Sequence, residues 1–135
     1  MPPITAGRIC LTAAALFNSI GPYAADWNET HVKNPRWPPH AKFHNGQTMS
    51  TGLVLGIFTA YYTWRSAPLN AADSLRTAAI MGSIYWVTAL SGALYPGAKG
   101  TDPEFGEGFP QFWFFSGLGC LPWIGYWLEI RRMGR

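Results

Sequence analysis

All three histidines of the chain lie between Asp26 and Asn45, in a segment that also holds Glu29, Trp27 and Trp37. Imidazoles and carboxylates gathered in one stretch point to proton transfer or to metal ligation. His40 and His44 are four residues apart, a spacing that puts both on one helical face. Pro39 suits the first turn of such a helix, and Asp26, Glu29 and His31 precede it. Three readings of these residues compete. In the first, His31, His40 and His44 bind a metal, completed by Asp26 or Glu29. The pattern is not HExxH, and Lys42 between the two helical histidines is unfavourable beside a divalent ion, so no metal is assigned. In the second, His40 and His44 are an acid/base pair, with His31, Glu29 and Asp26 orienting them or sharing protons. In the third, the polar side chains tie a proline-stiffened loop across the end of a helix bundle. Asn18, Trp37 and Asn45 are the substrate-binding candidates. Asn18 is also suited to a hydrogen bond between helices. No cofactor is specified.

The elements that must position these residues are apolar stretches of similar length. They run over about 4–25, 46–64, 77–95 and 111–130, each near the roughly 20 residues that cross a bilayer as a helix. Charge is sparse inside them: Arg8 sits near the start of the first, where it can snorkel, and Glu129 near the end of the last. Gly52 and Gly56 form a GxxxG, and Ala78 and Gly82 a second small-residue pair, both typical of close helix contacts in lipid. Tyr61, Tyr62, Trp64, Trp113 and Trp127 fall near stretch ends, as interfacial aromatics do.

The whole-chain numbers agree. With 135 residues the chain has room for one domain. Charged residues make up 13%, against roughly 25% in soluble domains. Aromatics reach 16%, which excludes disorder. Two cysteines exclude a disulfide scaffold; Cys10 and Cys120 read as small apolar residues. A mean hydropathy of +0.02 averages apolar stretches with polar loops. A net charge of +3 without a basic run excludes a nucleic-acid surface. The expected fold is an all-α, four-helix transmembrane bundle forming a single integral membrane domain over 1–135.

The first stretch has some features of a signal peptide, with a small-residue site at Ala24–Ala25. Asn18 and Gly21–Pro22 interrupt it, so retention is expected. Cations near the stretch ends divide six against four: Arg8, Arg65, Arg76, Arg131, Arg132 and Arg135 oppose Lys33, Arg36, Lys42 and Lys99. This bias predicts cytoplasmic termini in a multi-pass protein. The second loop, 96–110, carries Asp102, Glu104 and Glu107. It reads as a solvated cap or as a lid whose acids face the histidines. Asn28-Glu29-Thr30 matches the glycosylation pattern, but lies too close to a span end to favour modification.

Asp26-Trp27-Asn28-Glu29-Thr30-His31, followed by Asn34-Pro35 and Trp37-Pro38-Pro39-His40-Ala41-Lys42-Phe43-His44, resembles the signature of an uncharacterised family. Its members are small four-span membrane proteins of fungi and bacteria, similar in layout to the DoxX-like group. The resemblance implies the architecture and singles out the first loop; it implies no activity. A looser similarity is to membrane bundles of the sterol-isomerase and sigma-2-receptor type, which place carboxylates inside the bundle. The present spans are expected to hold no buried carboxylate. The leading functional expectation is acid/base chemistry, such as isomerisation or cyclisation, on a lipophilic small molecule at the membrane surface. The alternative is a non-catalytic subunit of a larger membrane complex, docked through Gly52/Gly56 and Ala78/Gly82. Expected partners are therefore the lipid bilayer, a lipophilic small molecule or another membrane protein, and no nucleic acid.

Overall fold

The computed structural model describes residues 2–134. Among them the chain forms α1 (Ala6–Asp26), α2 (Pro39–Trp64), α3 (Ala71–Ser91) and α4 (Phe112–Met133), with a 3-10 turn at Gly92–Leu94 and no strand. Each helix packs on its sequence neighbours, and α1 closes the ring against α4. The first and third connections share one end of the bundle. The second connection, the start of α1 and the end of α4 share the other. Arg135, counted among the cations of that second end, lies outside the described residues.

Local chemistry accounts for the helix limits. Thr5 caps α1 by accepting from the Arg8 N–H. Pro39 occupies the first turn of α2, so this helix starts well before the apolar stretch at Gly46 and carries His40 and His44. Pro22 and Pro122 lie inside α1 and α4, where each removes a backbone hydrogen bond. Both rings are buried over a glycine. A Cβ at Gly52 would meet Pro22 Cγ at 2.7 Å, and one at Gly82 would meet Pro122 Cβ at 3.0 Å.

Small residues set the other contacts. A Cβ at Gly56 would lie 2.6 Å from the Ala15 carbonyl oxygen. Gly7 and Gly125 face each other, so that a Cβ on either would strike the other's carbonyl, at 2.5 and 2.7 Å. The small-residue pairs are thus used within the bundle: Gly52 and Gly56 against α1, Ala78 and Gly82 in the core. That removes them as the partner surfaces expected of an accessory subunit.

The interior is unusually polar. Leu11, Leu75, Ala78 and Ala79 form one apolar cluster, and Tyr85, Trp86 and Leu118 another. Also buried are Arg8, Asn18, Thr59, Thr63, Ser74, Ser83 and Glu129. The expectation that the helices hold no buried carboxylate is therefore corrected: Glu129 is 1% exposed. It follows Gly125 by one helical turn, and the Gly7–Gly125 contact turns that face of α4 inward. Arg8 is likewise a buried partner rather than a snorkelling anchor. Its Nε lies 3.8 Å from Glu129 Oε2, and its Nη1 donates to the Thr63 carbonyl. Glu129 also accepts from Thr5 and, at 3.1 Å, from Arg132.

Large apolar side chains face outward on all four helices, among them Ile9, Leu16, Ile20, Val54, Ile57, Val87, Ile124 and Trp127. One helical stretch, Ala71–Leu94, is long and apolar enough by itself to cross a membrane. The others fall short for identifiable reasons. α1 contains Arg8 and Asn18, α2 is diluted by Gln47, Thr48, Ser50 and Thr51 as well as by its polar first turns, and α4 ends with Glu129, Arg131 and Arg132. The four-span expectation is met in the number and order of helices, and not in the apolarity of each.

Candidate active-site cleft

α1 and α4 touch at Gly7–Gly125 and separate toward the loop-rich end, where a cleft of about 1850 Å³ opens between them. This exceeds the roughly 300–1,000 Å³ of most small-molecule pockets. Leu16, Phe17 and Ile20 of α1 form one wall, and Phe114 and Phe115 of α4 the other. Tyr85, Trp86 and Ala89 of α3 form the floor. Phe17 and Phe114 meet edge to face across it, ring centroids 6.3 Å apart. The polar end holds Asp26, His31 and Trp37, with the second loop above.

The two loops are fastened to each other. The Trp37 indole donates to Asp102 Oδ2 at 2.9 Å, Arg36 pairs with Glu104, and Asn34 donates to Glu104 at 3.3 Å. The sequence leaves the second loop as a solvated cap or as a lid whose acids face the histidines. Asp102 and Glu104 instead engage the donors Trp37, Arg36 and Asn34, while Glu107 lines the cleft. Gly97 and Gly108 adopt positive φ, 77° and 82°, which lets this short cap turn sharply.

One hydrogen-bond chain fixes the chemistry of His31. Asn28 Nδ2 donates to the Ala25 carbonyl at 2.8 Å, so Asn28 Oδ1 faces Thr30. That oxygen accepts from the Thr30 N–H at 2.9 Å and from its hydroxyl at 2.6 Å. The hydroxyl proton is then committed, and Thr30 Oγ1, 2.7 Å from His31 Nδ1, must accept. Neutral His31 therefore carries its proton on Nδ1 and its lone pair on Nε2. Nε2 lies 3.7 Å from Asp26 Oδ1. The other Asp26 oxygen accepts from Asn45 Nδ2 at 2.8 Å. Trp37 packs edge-on against the imidazole, centroids 5.1 Å apart. Asn28→Ala is expected to free the Thr30 hydroxyl and give His31 a mixture of tautomers. Imidazole ¹⁵N shifts would show this as movement away from a single Nδ1-protonated signal.

The remaining sequence candidates lie elsewhere. His40 and His44 share a face of α2, their Nε2 atoms 3.0 Å apart, with Gln47 Oε1 3.3 Å from His44 Nδ1. Both are exposed and neither lines the cleft. Glu29 is exposed. Among the described residues no three His, Cys, Asp or Glu side chains converge to hold a metal. Asn45 supports Asp26 from beside the cleft. Asn18 is sealed in the core, donating to the Gly82 carbonyl at 3.2 Å. Sequence reasoning missed the aromatic walls and floor, although the adjacent pairs Tyr85-Trp86 and Phe114-Phe115 were visible. Trp86 is 3% exposed and its indole N–H has no acceptor among the described residues, an unmet donor on a residue that lines the cleft.

The family model of DUF6640, a family of unknown function, matches residues 10–135. The chain belongs to that family. The DUF6640 match takes in every residue of the cleft, the Asp26–Asn45 segment and Glu129. No curated protein and no solved structure matches the chain.

Proposed function

We propose that this chain is a multi-pass membrane protein that binds a lipophilic small molecule between α1 and α4 and performs proton-transfer chemistry on its polar end. The observation that carries this reading is the cleft itself: aromatic walls leading to one carboxylate–imidazole pair, Asp26 and His31. His31 replaces the His40–His44 pair as the acid/base group, since the latter lies away from the cleft. With Nδ1–H held by Thr30, Nε2 is the nitrogen free to take a proton, and Asp26 stabilises the imidazolium formed. Proton removal at one carbon and return at another moves a double bond without a redox partner, which is the balance of an isomerisation. The unmet Trp86 N–H favours a substrate bearing a carbonyl or hydroxyl oxygen.

Membrane insertion is supported by the inverted distribution of side chains. Arg8, Glu129 and several hydroxyl and amide groups are buried, while many large apolar side chains, among them Ile9, Leu16, Ile57, Phe58 and Trp127, face outward, which a soluble bundle avoids. Only 33% of the Ala71–Leu94 window is buried, whereas the central helix of a soluble protein would be mostly covered. Buried glycines at the helix contacts suit packing in lipid. The Arg-rich end would then be cytoplasmic.

The test has two parts. After carbonate washing of membranes, the protein should remain in the pellet; its release would end the membrane reading. Protein purified in mild detergent should carry a lipophile, identified by mass spectrometry as a mixture of interconverting isomers. His31→Gln and Asp26→Asn should retain the ligand as one isomer, with conversion slowed about 10²–10⁴-fold. Unchanged conversion in both variants would overturn the catalytic assignment.

A further inference from the structure

The opposite end of the bundle holds a second concavity, about 210 Å³, where α2 turns into α3. Arg8, Tyr62, Arg65, Ala71 and Ser74 line it. Three independent features give it a positive character. The Arg65 guanidinium is fixed in place: Nε donates to Ser74 Oγ at 2.7 Å, and the group lies 4.9 Å from the Tyr62 ring centroid. Ser74 in turn donates to the Tyr62 carbonyl at 2.8 Å. This arrangement occupies one of the five guanidinium donors; the others have no acceptor among the described residues. Arg8 lines the notch from α1 and is 6% exposed; its Nε turns toward Glu129 and its Nη1 to the Thr63 carbonyl, which leaves Nη2 without an acceptor among the described residues. Glu129, its counter-ion, is shared with Thr5 and Arg132. Finally, α3 begins at the edge of the notch with Ala71 and without a side-chain cap from Asn70, so the positive end of its dipole lies beside it. Asp73, the acid of that first turn, is exposed and does not line it.

We infer that the notch binds a phosphate oxyanion, held by the free fork of Arg65, by Arg8 and by the start of α3. A tetrahedral phosphate offers oxygens in several directions at once, which matches donors arriving from α1, from the α2–α3 turn and from α3. A flat carboxylate would satisfy one fork and leave the rest. A phospholipid headgroup and free phosphate both present this chemistry. The site is separate from the Asp26–His31 cleft and does not depend on the reading given to it.

The full chain in non-ionic detergent would be titrated by calorimetry with three probes: inorganic phosphate, short-chain phosphatidylglycerol, and short-chain diacylglycerol as a phosphate-free control. Saturable binding of either phosphate probe, with none for diacylglycerol, is expected. Binding of phosphatidylglycerol without inorganic phosphate identifies the headgroup as the source; tight binding of inorganic phosphate identifies the free ion. Arg65→Gln should weaken that binding about tenfold or more, the effect of one lost charged fork. Arg65→Lys, which keeps the charge, should fall between. Arg131→Gln, whose arginine stacks on Trp127 away from the notch, should leave it unchanged. The inference is overturned if neither phosphate probe binds saturably, or if Arg65→Gln has no greater effect than Arg131→Gln.

Discussion

Glu129→Leu is expected to destabilise the bundle by about 3–5 kcal/mol, the cost of leaving a buried cation without its counter-ion. Arg8 is 6% exposed, so solvent screens little of its charge. The double variant Arg8→Met/Glu129→Leu removes both charges and should recover most of the loss, because replacing a whole buried pair by apolar groups is often neutral. Thermal unfolding in detergent reads both. A double variant no more stable than the single would show that packing around Glu129, and not the stranded charge, sets the cost. The same double variant should lose affinity at the phosphate notch while leaving the cleft ligand in place.

Gly56→Ala is expected to cost about 1–3 kcal/mol, and Gly56→Leu to prevent folding. The new Cβ would lie 2.6 Å from the Ala15 carbonyl oxygen and 3.0 Å from the Ser19 nitrogen. Both are backbone atoms of α1, so the helix itself must move. Gly117 is the internal contrast. It also sits in a helix, yet a Cβ there meets nothing within 4 Å. Gly117→Ala should therefore stabilise by about 0.5–1 kcal/mol through helix propensity alone. Melting curves of the two alanine variants should shift in opposite directions; a fall for both would mean that the α1–α2 contact is not the cause.

How much of this was legible in the sequence depends on how local each feature is. The four helices and the His40–His44 pairing follow from spacing and from Pro39, which act within a few residues. The burial of Glu129 does not. A single acid beside Arg131 and Arg132 looks like part of a surface tail, and only the rotation imposed by Gly125 against Gly7 turns it inward. The choice of His31 over His40 and His44 is equally non-local. It depends on the Asn28–Thr30 turn bringing the imidazole back beside Asp26, and on α2 directing its first turns away from the α1–α4 gap. By charge alone the acids of the second loop suit either a solvated cap or a lid facing the histidines. They find Trp37, Arg36 and Asn34 because those side chains are already fixed in the folded first loop.

The fastening of the two loops has a consequence for how the cleft can be reached. With Trp37 tied to Asp102 and Arg36 to Glu104, the end of the bundle is covered, and the remaining way in is the lateral gap between α1 and α4, which the Phe17–Phe114 contact bridges. On the proposed membrane reading that gap lies within the hydrocarbon of a single leaflet, the one farther from the Arg-rich end. The protein would then sample only lipophiles dissolved in that leaflet. A molecule arriving from the opposite monolayer would have to flip before it could be bound, so the sidedness of supply becomes part of the selectivity.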